Sequence, residues 1–549
     1  MLRPSRLLCV SLLALAAAPT GSLRAQSNAV AGRDLMLVNT WALEQYQRVG
    51  TYPNGRGAMG AWTTVCNRGT APIPFTAAMN PDHSFIHYMV CRESDGRFVQ
   101  ISSRGGVKHT FGSSNDPSTC GSCAGPGNYN QVEVGCSDTY ANYQAVDHYW
   151  LGPPDEVDPW LGTWVPQCSF FDRGEPAVSP AQACDGIRSL TQSQASALNA
   201  TVNHQSSVHD ADWLVPGAQF YYLSGYICPG EPEINRLNTM ASRGVVPTWN
   251  GTRWQFADTG FYINGTILQR WSGATVTSAT NGNDDGRFYV AVKVTGPVNG
   301  LYRYEYAIHN RDNDRGLGAF RIPVCPQARV VNLGFRDIDQ DPLNQWTAAR
   351  SGAEIAFTTN GNPLRWNSLF NFWFESDAAP VVGQALSLDQ HDIGPGALTV
   401  QVQGTAPLGL YNQVLGAGCG SPVPPVLYGA GAPARATIGN ASFSLGCSGN
   451  PVGVPVGFVM SFSQGSTQLA AGCTLYSSSL ATASSPIMAV SDAAGTAGAS
   501  LAVPNSPSLE GMSLDFHAFN LRTGGALLSA FDLSNGLRVR VGNLVSGCP

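Results

Sequence analysis

The residues best suited to chemistry form two acidic clusters and one mixed segment. Asn310, Asp312 and Asp314 occupy alternate positions, and so do Asp337, Asp339 and Asp341. Calcium takes about six to eight hard oxygens, and a short run of alternating Asp and Asn supplies three of them. Neither cluster completes a calcium loop. The glycine at the sixth place and the glutamate at the twelfth are missing, with Gly316 falling at the seventh of the first cluster. Structural calcium is the one cofactor the pattern suggests. The competing reading is solvated turn residues at strand ends, bonded to their own backbone. The run 281–286, Asn-Gly-Asn-Asp-Asp-Gly, reads as a turn.

The mixed segment carries His204, His209, Asp210 and Asp212. By residue type it is the strongest candidate for acid–base catalysis, although no metal-ligand spacing and no His-Glu-x-x-His motif is present. His83 and His87 lie four apart between strand-like residues. In a strand that spacing is about 13 Å, too far for one metal, so they read as ordinary surface or loop histidines. No Gly-x-Ser-x-Gly elbow occurs, so α/β-hydrolase chemistry has no support. Ser137, with Asp138 beside it and Lys108 and His109 upstream, reads as a disulfide-anchored turn rather than a nucleophile. Cys120 and Cys123 have the spacing of a redox pair, but a loop setting without a βαβ pattern favours structural disulfides, Cys136 being a candidate partner. Trp150, Trp160, Trp164, Tyr221 and Tyr222 offer stacking surface for a sugar or a partner; core packing is their simpler use.

Such groups must be positioned by β-structure. Phe288, Val290, Val292 and Val294 alternate with Tyr289, Ala291 and Lys293, and after a Gly/Pro/Asn break the alternation resumes with Tyr302, Tyr304, Tyr306 and Ile308. Period-two runs joined by a short turn predict an antiparallel hairpin. Further strands are expected at 61–67, 84–91, 219–227, 254–259, 329–335, 354–359 and 368–375, with 35–44 a strand or a helix. Residues 147–187 read as a long irregular excursion of the kind that disulfides pin. Residues 190–203 are the best helical stretch.

Composition agrees. Charged residues are 12% of the chain, about half the usual share near 25%, and 61 Gly with 36 Pro demand frequent turns. A formal net charge of −6 with scattered arginines leaves no nucleic-acid footprint. The opening 25 residues have a basic start, an apolar run from Leu7 to Ala18 and a cleavage residue at Ala25, which read as a secretory signal peptide. No later apolar run reaches membrane length. Export makes disulfides expected among Cys66, Cys91, Cys120, Cys123, Cys136, Cys168, Cys184, Cys228 and Cys325, and among Cys419, Cys447, Cys473 and Cys548. The first group is odd and the second even, so the second can close within itself; spacing leaves the pairing open. All 12 tryptophans fall at or before Trp373. Beyond a linker expected near 394–407 the chain is rich in Gly, Ala, Ser and Val, with short strands expected at 442–445, 456–463, 500–503, 513–520 and 538–544.

Several segments carry a resemblance: TTVCNRGTAPIPF from Thr63, GRFVQISSRGGVKHTF from Gly96, VGCSDTY from Val134, YEYAIHNRDNDRGLGAFRIPV from Tyr304 and LRWNSLFNFWF from Leu364. Together they resemble a family of large secreted proteins from planctomycete-type bacteria. The tail, with GAGCGSPVPPVLYGAGAP from Gly416, DAAGTAGASLAVP from Asp492 and GLRVRVGN from Gly536, resembles a β-domain appended to many exported proteins of such bacteria. The resemblance implies a generic surface or export role for the tail and carries over no catalytic residues.

The reading is an all-β protein. A disulfide-braced, β-sandwich-like N-terminal body with irregular insertions spans 27–405, with its disulfide-rich part at about 60–230 and its strand-rich part at about 219–380. A smaller C-terminal β-sandwich spans 415–549. The expected role is that of a secreted or cell-surface protein, structural or ligand-binding and non-enzymatic, whose partner is an extracellular polymer or a cell-surface component. The alternative is a secreted hydrolase of a polymer such as polysaccharide, served by Asp312, Asp314, Asp337 and Asp339 or by the 204–212 segment.

Overall fold

The alternating run does form a hairpin. Arg287–Val298 and Leu301–Asn310 pair antiparallel, with Val290 opposite Ile308 and Val292 opposite Tyr306. Both of its faces are buried. Phe288, Val290, Tyr304, Tyr306 and Ile308 enter one core, while Tyr289, Ala291 and Ala307 enter another. That double burial is the key to the architecture. A computed structural model of the chain describes residues 30–542, apart from 76–78, 109–118, 128, 175–182, 282–285, 299–300, 327, 340, 360, 410 and 478–485. The expected signal peptide, His109, most of the 281–286 turn, the hairpin tip and Cys548 lie outside the described residues.

The N-terminal body is a stack of four antiparallel sheets. Sheet A holds Leu35–Val49, Arg56–Asn67 and Ser207–His209, with Ser137–Tyr140 also on the middle strand. Sheet B runs Trp254–Asn264, Met240–Trp249, Gln219–Ile227, Phe85–Ser94, Arg97–Gln100. Sheet C runs Thr275–Thr280, Arg287–Val298, Leu301–Asn310, Ser368–Ser376, Val330–Arg336. Sheet D runs Thr347–Ser351, Glu354–Thr358, Leu317–Pro323, Ala379–Gln390, Thr399–Gly409.

Three cores hold the stack. Leu37, Val65, Tyr88 and Tyr222 lie in the core between A and B. Met89, Phe98, Leu223, Ala291 and Leu369 fill the seam between B and C. Tyr306, Phe320, Phe372 and Leu388 fill the core between C and D. The central strands therefore read FIHYMV or FYYL, apolar on both faces, rather than strictly alternating. Each buried aromatic contributes about 1.5–3 kcal/mol. The buried hydroxyls are satisfied across the core: Tyr304 donates to Ala378 O at 2.7 Å and Tyr306 to Thr405 O at 2.9 Å.

Two expectations about chain organisation change. Thr399–Gly409 is a strand of sheet D, so the expected linker belongs to the sheet from Thr399 on. The 190–203 stretch forms a short helix, Gln192–Ala197, started by a Thr191/Gln194 capping box and followed by a 3-10 turn over Leu198–Ala200. The 35–44 stretch is strand.

The C-terminal sandwich packs a six-stranded sheet, with Ser513–Leu521 and Pro455–Ser461 central, on the three strands Val426–Ala430, Ser444–Ser448 and Ala497–Ser500. The strand expected at 500–503 thus ends where it was to begin. Leu427, Phe443, Leu445, Phe458, Phe516 and Leu537 lie in its core.

Disulfides join Cys66 to Cys120, Cys123 to Cys136, Cys168 to Cys184 and Cys419 to Cys473. Cys325 is disulfide-bonded as well. The Cys-Gly-Ser-Cys pair is therefore not a redox couple; its two thiols tie one loop at two points. Cys168–Cys184 pins the excursion. Cys91, Cys228 and Cys447, expected among the disulfide cysteines, are buried free thiols. Burial pushes the Cys447 thiol up to about 12, so it stays protonated and inert.

Candidate functional site

Sequence candidates more than a hundred residues apart meet in one cleft. A cavity of about 600 Å³ is lined by Asn54, Gly55, Arg92, His209, Asp212, Arg336 and Asp339, among others. A second, of about 330 Å³, is lined by Arg56, Arg104, His209, Asp337, Asp339, Arg365 and Ser368, among others. They share His209, Ile338 and Asp339 and so run together.

Local structure explains how these groups arrive there. Asn54 and Gly55 belong to the turn between the first two strands of sheet A. His209 ends the strand Ser207–His209 and starts the four-residue helix Asp210–Trp213. Arg336 closes the edge strand of sheet C, and the chain turns away through 337–339. That edge strand has a register shift between Val331 and Gly334. Gly334 lies against the Trp373 indole, where a Cβ would sit 2.2 Å from ring atoms, so no larger residue fits.

Five arginines (Arg56, Arg92, Arg104, Arg336 and Arg365) share the cleft with three aspartates. Most of the arginines are engaged. Arg92 meets Asp212 at 2.9 Å, Arg336 approaches it at 3.8 Å, Arg104 meets Asp155 at 2.7 Å, and Arg365 pairs with Asp392. Arg56 is different. Among the described residues it makes no ion pair, and its buried Nε has no hydrogen-bond partner. Burial lowers its pKa although Asp212 and Asp339 pull the other way. Arg92 Nε, Arg104 Nη2, Arg336 Nε and Ser368 Oγ are likewise buried without partners.

Asp337 is 3% exposed. One of its oxygens accepts from Asn362 Nδ2 at 2.6 Å and the other is buried without a partner. Burial, and then the neighbouring Asp339 charge, push its pKa up to about 6.

The remaining expected site residues fall elsewhere. Asp210 faces away from the cleft into the fold. It pairs with Arg48 and accepts from Trp254 Nε1 at 2.8 Å and Gly55 N at 2.9 Å. Burial would raise its pKa, but the Arg48 and Trp254 hydrogen bonds prevail and hold it below the usual range. His204 packs edge-on against Phe170, with ring centroids 4.6 Å apart, and burial lowers its pKa.

Asn310, Asp312 and Asp314 do not converge as a cation cage. Asp312 accepts from Arg287 N at 2.8 Å and lies 3.4 Å from Arg236, while Asn310 bonds the backbone of Asn313 and Leu364 and Asp314 is exposed. Asp339 and Asp341 are turn residues: Asp339 accepts from Asp341 N and Asp341 from Leu343 N, both at 2.9 Å. No three of His, Cys, Asp and Glu are grouped to hold a metal ion among the described residues.

His83 and His87 are not surface histidines. Both are buried, with pKa values pushed down by burial to about 3 and about 4, and His87 bonds Asn367 at 2.9 Å. Ser137 is a buried strand residue. Trp164 and Tyr222 are core residues, Trp150, Trp160 and Tyr221 half-buried.

No protein-family model matches the chain. No curated protein is similar to it in sequence. Among solved structures, Escherichia coli alpha-2-macroglobulin activated by porcine elastase aligns at 7% identity over 93% of this chain and 35% of that one, with a TM-score of 0.13. This chain thus spans about a third of that structure's length, and the superposition carries no argument about fold or activity.

Proposed function

We propose that the chain is an exported binding protein whose cleft takes an anionic segment of an extracellular polymer. The observation that carries this reading is Arg56, a partly buried guanidinium that closes no ion pair among the described residues and whose buried Nε has no hydrogen-bond partner. An unpaired charge away from water is costly, and an incoming carboxylate, sulfate or phosphate would relieve that cost with charge-assisted hydrogen bonds. The unpartnered nitrogens of Arg92, Arg104 and Arg336 support the same ligand chemistry. So does the size of the larger cavity, which falls within the usual range for ligand sites, about 300–1,000 Å³. The disulfides Cys66–Cys120, Cys123–Cys136, Cys168–Cys184 and Cys419–Cys473 and the expected signal peptide support export, and no described helix is long and apolar enough to cross a membrane.

The test is retention of the purified protein on immobilised polyanions at rising salt. Binding that weakens with salt, and that the double variant Arg56→Gln/Arg336→Gln loses about tenfold or more, supports the reading. Equal retention of parent and variant contradicts it.

A second reading rests on Asp337. A carboxyl held near pH 6 beside the ionisable Asp339 in a cleft suits a general acid in polymer hydrolysis. Reducing-end release from a polysaccharide, abolished by Asp337→Asn, would establish it; no release above a heat-killed control would remove it.

A further inference from the structure

We infer that the polymer is an acidic polysaccharide and that Tyr52, on the rim of the cleft, is the platform on which one of its sugar rings stacks. The inference rests on the cleft reading above. Tyr52 directly precedes Pro53, which lines the larger cavity. Its ring lies flat on Trp249, with centroids 4.4 Å apart and planes 12° apart. The Arg48 guanidinium sits 4.9 Å from the Trp249 ring. Asp210 grips Arg48, and also holds the Trp254 indole and the backbone of Gly55. Trp254 in turn meets Tyr52 at 6.1 Å.

One buried carboxylate therefore fixes both the cleft wall at Gly55 and the stack beneath Tyr52. Tyr52 remains 39% exposed. Trp249 covers one face of the ring, so a ligand would stack on the other. A rigid aromatic face held open is suited to a flat apolar partner. The C–H face of a pyranose is such a partner and gains dispersion contact there, while the sugar's carboxylate or sulfate reaches the cleft arginines. Polyphosphate and poly-glutamate supply the charge but no ring.

The experiment compares four polyanions at matched charge and salt: polygalacturonate, dextran sulfate, poly-glutamate and polyphosphate. The parent protein is expected to bind one of the sugar polymers about tenfold more tightly than either non-sugar. Which of the two it prefers identifies carboxylate or sulfate as the anion. Tyr52→Ala should erase the sugar advantage and leave poly-glutamate binding unchanged in a protein that still unfolds cooperatively, and Tyr52→Phe should keep it. Equal binding of all four polyanions, unaffected by Tyr52→Ala, would overturn the sugar assignment and leave the anion site standing. Binding of none would sink the cleft reading itself.

Discussion

The C-terminal sandwich and the cleft use charge in opposite ways. In the sandwich, Asp515 and Arg538 face each other across neighbouring strands and share two bonds of 2.9 and 3.0 Å. Asp532 is gripped by Arg522 at 2.5 Å and by the backbone of Ala526 at 3.0 Å. Both carboxylates are 2% exposed, and each has its counter-charge within the fold. In the cleft, Arg56 feels Asp212 and Asp339 but closes no ion pair with either, and Asp337 keeps one oxygen unbonded. Charges that close on each other hold a structure together. Charges left open beside a cavity are available to something that is not part of the chain.

The contrast can be broken from either side. The largest effect is expected in the sandwich. Arg538→Ala strands a buried carboxylate, so denaturant unfolding should show a loss of about 3–5 kcal/mol, with polyanion binding unchanged. A loss under about 1 kcal/mol would mean that the pair is not a structural clasp.

Next comes Asp337. Its folded pKa of about 6 lies above the ordinary 3.8, so ionisation is penalised in the folded state. The penalty is absent below about pH 3.8, grows as pH rises toward about 6, and is complete above that. Asp337→Asn should therefore stabilise the protein by about 3 kcal/mol at pH 8 and by nothing near pH 3.5. Asp377, Glu156 and Glu231 are raised too, to about 6, about 6 and about 8. The informative quantity is thus the difference between parent and variant at each pH. The same titration sharpens binding: a polyanion should bind more tightly as pH falls from about 7 to 5 and Asp337 loses its charge, and Asp337→Asn should flatten that profile.

The smallest stability effect is expected at Arg56, where Arg56→Gln removes a charge without orphaning a partner. Its unfolding free energy should stay within about 1 kcal/mol of the parent. A larger loss would move Arg56 into the same class as Arg538.

The fold was legible where β-branched and aromatic residues recur at every second position, as at 288–308, even though both faces are buried. It was less so where the strand is broken by small residues. Thr399–Gly409 carries Gly404 and Pro407 and no charge, which imitates a linker, yet Val400 and Val402 enter the core between sheets C and D. Met240–Trp249 and Ala379–Gln390 hide similarly behind Gly and Pro.

In the cleft, His209, Asp212, Asp337 and Asp339 were legible by type, but only pairing of distant strands brings them together. Asp210 and Asp212 look equivalent in sequence, and one short helical turn sends the first to Arg48 and Trp254 and the second to the cleft. The arginines were illegible: Arg56, Arg92, Arg104, Arg336 and Arg365 are each isolated in the chain and form a group only where sheets A, B and C meet.

On the proposed function, the missing partner of Arg56 is a ligand. A ligand that binds only the folded state raises its melting temperature. The most direct measurement is therefore the melting temperature of the parent and of Arg56→Gln with and without polygalacturonate at low salt. Arg56→Gln should melt no lower than the parent in buffer; adding polymer should raise the parent by several degrees and Arg56→Gln little or not at all. The same rise in both proteins, or in neither, would contradict the reading.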